Sequence, residues 1–122
     1  MAEDYQLTRL FNYTTFHIGL YATLITGLFA VIAYATKDPS KGFVHLLPYA
    51  KWTAALILLA GAAGGAIASN IANYETFGAF SASKLSIFGI PTVTYFVWAH
   101  IEHAAFWAAV CVAAYAFLSF RG

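Results

Sequence analysis

Charged side chains fall in short intervals along this chain and leave three long apolar stretches between them. Leu10 to Thr36 runs for about 27 residues without a charge, and Trp52 to Tyr74 for about 23. At 1.5 Å per residue, about 20 residues of α-helix cross a hydrocarbon core, so each stretch predicts a transmembrane helix. A third stretch, from about Thr92 to Phe120, is broken near its middle only by Glu102. The pattern predicts an all-α integral membrane protein, a single transmembrane domain over 1–122, with spans at about 10–36, 50–74 and 92–120. Short loops join the helices, and an interfacial segment precedes the third.

The connecting segments carry turn chemistry. Lys37-Asp38-Pro39-Ser40-Lys41-Gly42 links the first two spans, and Gly78 to Ser86, with Gly89 and Pro91, leads into the third. The second connection is amphipathic enough to lie along the membrane interface. Alternatively, Leu85 to Ile90 extends the third helix as a short tilted piece, broken near Pro91 because proline lacks an amide donor and restricts its predecessor.

Composition supports the membrane assignment. Of 122 residues, 61% are hydrophobic and 9% charged, against about 25% charged in soluble domains. So short a chain has too little interior to hide that much apolar surface, which makes the lipid bilayer its first partner. The net charge of +1 comes from scattered cations with no basic patch, which excludes nucleic acid as a partner. Cys111 lies between Val110 and Val112 and reads as a small hydrophobe, since a single cysteine forms no internal disulfide. Glu3 and Asp4 precede the first cation, Arg9, unlike a cleavable export signal, so the first helix is expected to direct its own insertion. Lys37, Lys41, Lys51 and Arg121 share one side of a three-span topology, and Arg9 and Lys84 the other. This bias predicts a multi-pass protein with its N-terminus outside and its C-terminus cytoplasmic.

Lipid supplies no hydrophobic force between helices, so close packing needs small residues. The second span carries Gly61, Gly65 and Ser69 beside Gly64 and Ala68, and is expected to be the central packing element. The first offers Gly19, Thr23 and Gly27, and the third Ala105, Ala109 and Ala113.

Polar groups within a bilayer are costly, by roughly 2.5–3.5 kcal/mol for a charged side chain on insertion scales, and often mark function. Placed by helical rise, His17, Asn70, His100, Glu102 and His103 all fall in the same half of the membrane. At 100° per residue, His100 and His103 share one face of the third helix with Phe96 and Trp107, whereas Glu102 points about 100° away from His103. His17, His100 and His103 are therefore candidate metal ligands, or sources of an axial ligand to haem b, because neutral imidazole suits copper, zinc and haem iron. Glu102 and Asn70 are the further intramembrane polar candidates, with Glu102 expected to face the second helix and meet Asn70 or Ser69, or to face a partner. His45 reads as an interfacial loop residue.

No phosphate loop, nucleophile elbow, HExxH or paired carboxylates are present, so catalysis by this chain alone is not expected. Three readings follow. The preferred one is a small integral membrane subunit packing with other membrane subunits in a larger complex of the energy-transducing or metal-dependent oxidoreductase kind. The second is a metal- or haem-binding redox membrane protein using His17, His100 and His103. The third is a homo-oligomeric channel or transporter, built from copies of the chain, with Glu102 in the path.

Overall fold

A computed structural model describes residues 2–37 and 43–119, with side chains over 5–37 and 45–119. In chain order it contains α1 (Ala2–Lys37), a 3-10 turn (Phe43–Leu46), α2 (Leu47–Ile71), α3 (Phe77–Ala82), β1 (Lys84–Ile87), β2 (Ile90–Thr94) and α4 (Tyr95–Ser119). Three helical stretches, Tyr5–Lys37, Leu47–Ile71 and Tyr95–Ser119, are long and apolar enough to cross a membrane. They match the three predicted spans in place and order. The boundaries differ in ways that local chemistry explains. Pro48 sits in the first turn of α2, where its missing amide would be unpaired anyway, so the helix starts before residue 50. Residues 90–94 are rich in β-branched side chains and pair as a strand, so α4 starts at Tyr95 and not near Thr92. Most of the predicted first loop, together with Lys41, Phe120 and Arg121, lies outside the described residues.

The helix α2 is the packing centre. Half of its apolar window is buried, against 11% for α1 and 17% for α4. Alongside the buried Ile57, Ile67 and Ile71, its inner surface carries small residues, with Ala54, Ala60, Ala63, Gly64 and Ala66 all buried, so α1 and α4 both approach it closely. Of the two small-residue stripes, the one through Gly64 makes the tight contact: a Cβ there would stand 3.3 Å from Ile18 Cγ1 and 3.7 Å from the Glu102 carboxyl. On α4, Ala105 and Ala109 are buried as expected. On α1, Gly19 and Gly27 have nothing within 4 Å of a Cβ position and pack against no other helix. Leu7, Thr14, Tyr21 and Ala35 are the buried positions among the described residues of α1.

The segment before α4 corrects the all-α expectation. It is not an extension of α4, but the short helix α3 followed by an antiparallel two-stranded hairpin. Leu85 is buried between exposed Lys84 and half-buried Ser86, an alternation that suits a strand. Phe88 and Gly89 form the two-residue turn, with φ of +52° and +80°, as a hairpin turn with right-handed strand twist requires. Ile87 pairs with Ile90 across that turn, and Ser86 with Pro91. In such a ladder the second pair directs its backbone groups away from the partner strand, so the missing amide of Pro91 removes no ladder bond. The hairpin rests on a cluster of Leu7, Ile67, Ile71, Phe80 and Leu85, drawn from α1, α2, α3 and β1. The Thr76 hydroxyl caps α3 by accepting from the Ala79 amide at 3.1 Å.

Candidate functional site: a polar seam between α1 and α4

The polar residues singled out in the sequence gather at the end of the bundle that carries the hairpin, in three distinct settings. Asn70 is a structural clamp. Its Nδ2 donates to the carbonyls of Ala66 (2.7 Å) and Ser86 (2.8 Å), and its Oδ1 accepts from the Ser86 amide at 2.8 Å. The side-chain amide thus pairs with both outward backbone groups of Ser86 as a neighbouring strand would. A second brace holds the same hairpin: the Thr92 hydroxyl donates to the Leu85 carbonyl at 2.6 Å and accepts from the Trp98 indole at 3.0 Å. Asn70 therefore does not meet Glu102, contrary to the sequence expectation, because its capacity is already used on the hairpin.

Glu102 is 2% exposed and faces α2, as the helical angle required. Its contact on that side is the bare Cα of Gly64, and its hydrogen bond comes from α1, where the Tyr21 hydroxyl donates to Oε1 at 2.9 Å. Tyr21 is itself 3% exposed, and its ring packs 5.6 Å from that of Phe106. The glycine creates the space, and the tyrosine satisfies the buried carboxyl across it.

The histidines take the third setting. In each of His17, His100 and His103, Nδ1 lies 2.6–2.8 Å from the carbonyl four residues earlier, on Tyr13, Phe96 and Ala99 respectively. A carbonyl only accepts, so Nδ1 carries the proton, and in the neutral ring Nε2 is the free lone pair. The Tyr13 hydroxyl donates to Nε2 of His103 at 3.3 Å. Tyr13 also stacks on His17, ring centroids 4.1 Å apart, and His17 stands 6.2 Å from Tyr21. Tyr13, His17 and Tyr21 are spaced i, i+4, i+8, so α1 presents a ladder of rings toward Glu102, His103 and Phe106 of α4. The backbones of α1 and α4 make no extended contact, and these side chains span the gap.

Sequence reasoning located the histidines and Glu102 but missed Tyr13 and Tyr21, which connect them. The four-residue spacing around His17 was the available signal. The predicted three-histidine ligand set does not assemble within one chain. Among the described residues, no three of His, Cys, Asp and Glu come together to hold a metal ion. His17 and His103 are joined through Tyr13, while His100 is exposed on α4. His45 is exposed beside the start of α2, and Cys111 is a free, exposed thiol on α4. Chemically, the seam offers a phenol–carboxyl pair, a phenol–imidazole pair and further imidazole lone pairs for a ligand or a neighbouring chain. The chain matches no protein-family model, no curated protein and no solved structure.

Proposed function

We propose that this chain is a small, non-catalytic membrane subunit that packs through α4 against larger subunits of an energy-transducing or metal-dependent oxidoreductase assembly. One observation carries the reading. The outer face of α4 is a stripe of Phe96, His100 and Trp107, all exposed on the isolated chain, with Phe96 at 54% and Trp107 at 61%; His103 flanks it with its Nε2 turned to Tyr13 of α1. His100 lies about 7 Å along a helix that reads as a span, at 1.5 Å per residue. Hydrocarbon has no group to satisfy its imidazole Nε2, and intramembrane ionisable residues face protein. A neighbouring subunit that supplies a donor to Nε2 and flat surface to the two aromatic rings accounts for all of these residues at once.

The test is extraction of the native protein in mild detergent, with a photo-crosslinking residue in place of Trp107. The expected result is co-purification with stoichiometric larger subunits and a crosslink to one of them. A discrete assembly containing only this chain, or crosslinks only to lipid, overturns the reading.

A second reading rests on the hydrogen bonding of His100. A proton fixed on Nδ1 by a backbone carbonyl leaves Nε2 oriented as a ligand, the arrangement found around metal-bound imidazole. Haem b, copper or zinc shared with a partner's ligand would use that atom. Visible absorption and metal analysis of the gently purified protein, repeated on His100→Ala and His103→Ala, decide the matter. Loss of a chromophore or metal in His100→Ala favours the cofactor reading, and a colourless, metal-free native protein eliminates it.

A further inference from the structure

We infer that the tip of the β-hairpin, Phe88 with Ile90, is seated in the interfacial layer of the bilayer and anchors this end of the molecule to lipid. The inference is independent of the subunit reading. Phe88 is 99% exposed and Ile90 66% exposed. Phe88 also occupies a positive-φ turn position, which favours Gly, Asn or Asp and disfavours a bulky side chain. Among the described residues the ring packs on nothing that offsets the backbone strain.

Depth follows from the clamp. Ser86 is bonded through both backbone groups to Asn70, in the last turn of α2. Phe88 is two residues further on, so it lies within about 7 Å of Ser86, which is itself held at the end of α2 by the Asn70 side chain. The interfacial layer on each side of a hydrocarbon core is about 5–7 Å thick, by subtraction of core from total bilayer thickness. Tyr95 and Trp98, in the first turn of α4, mark the same level with side chains typical of the interface. At the open end of the hairpin, exposed Lys84 pairs with Thr94 and carries a stem long enough to place its ammonium among headgroups.

Lipid fits this surface better than protein does. The hairpin's other side is already covered by its own chain, with Leu85 fully buried against Ile67, Ile71 and Phe80. Two projecting side chains fall far short of the roughly 800 Å² per partner of a specific protein interface, yet suffice for insertion among headgroups.

The test uses the full chain with Cys111→Ala, carrying a nitroxide at Phe88→Cys, Ile90→Cys or, as a water-side reference, Glu75→Cys. Each is reconstituted in vesicles of phosphatidylcholine and phosphatidylglycerol. Relaxation by oxygen, which concentrates in lipid, is compared with relaxation by a water-soluble nickel chelate. The expected result is an oxygen-to-nickel ratio at positions 88 and 90 several-fold above that at 75. A ratio at both equal to that at 75 places the tip in water and overturns the inference. Immobilised spectra shielded from both reagents mean that a second copy or another protein covers the tip, and overturn it equally.

Discussion

The two ends of the three-helix bundle are held by different means. At the hairpin end, hydrogen bonds cross between elements: Tyr21 to Glu102, Tyr13 to His103, Asn70 to Ser86 and Trp98 to Thr92. At the opposite end, the hydroxyls of Thr23, Thr26, Thr36 and Thr53 each bond the carbonyl four residues back in their own helix. An apolar groove separates α1 from α4 there, floored by α2. It comprises two connected recesses of about 340 and 330 Å³ that share Leu28, Thr53 and Ala113. In lipid, apolar side chains gain little by touching one another instead of acyl chains, so helices stay together where small residues and polar partners coincide. The hairpin end has both, and among the described residues the groove end is joined mainly through apolar packing on α2.

The sharpest way to break this contrast is at Gly64. Gly64→Leu forces a side chain into Ile18 and the Glu102 carboxyl, where a Cβ already stands 3.3 Å from Ile18. Overpacking of that kind costs about 3 kcal/mol or more, read as a lowered unfolding temperature in mild detergent. Asn70→Ala is expected to come next. It strips both partners from Ser86, costs about 2 kcal/mol, and raises amide hydrogen exchange across residues 84–94 while leaving the groove end unchanged. Tyr21→Phe removes the donor to Glu102 and costs about 1 kcal/mol, within the range found for hydrogen bonds between membrane helices. A double-mutant cycle with Glu102→Gln sharpens this, because a coupling indistinguishable from zero would mean the bond does not tie α1 to α4. At the other end, Gly27→Leu, at an exposed position with nothing within 4 Å of a Cβ, should stay within about 0.5 kcal/mol, as surface substitutions do. Losses there as large as at Gly64 would show the two ends to be equally committed.

Much of this was legible along the chain. Three long apolar stretches, one of them interrupted only by Glu102, marked the helices, because a span must satisfy its own backbone in lipid and only a helix does so locally. The angle between Glu102 and His103 set the carboxyl on a different face from the histidine pair, and Glu102 does lie buried against α2 while His103 reaches Tyr13 of α1. The hairpin was not legible in the same way. Gly89 and Pro91 read equally well as a loop or a helix break, and what selects strands is contact: Leu85 filling a pocket made by α1, α2 and α3, and Asn70 offering an amide to Ser86. Gly19 and Gly27 show the converse, a packing stripe with no packing partner.

The sequence by itself determined that this is a membrane-spanning chain, which three segments cross, and that its ionisable groups concentrate toward one end, since these depend on local hydropathy and helical rise. Only the tertiary structure decided which groups meet. Tyr21 reaches Glu102 because Gly64 leaves room for the carboxyl, and Asn70 is taken by the hairpin instead. Both outcomes depend on distances between segments far apart in the chain, and local periodicity does not encode them.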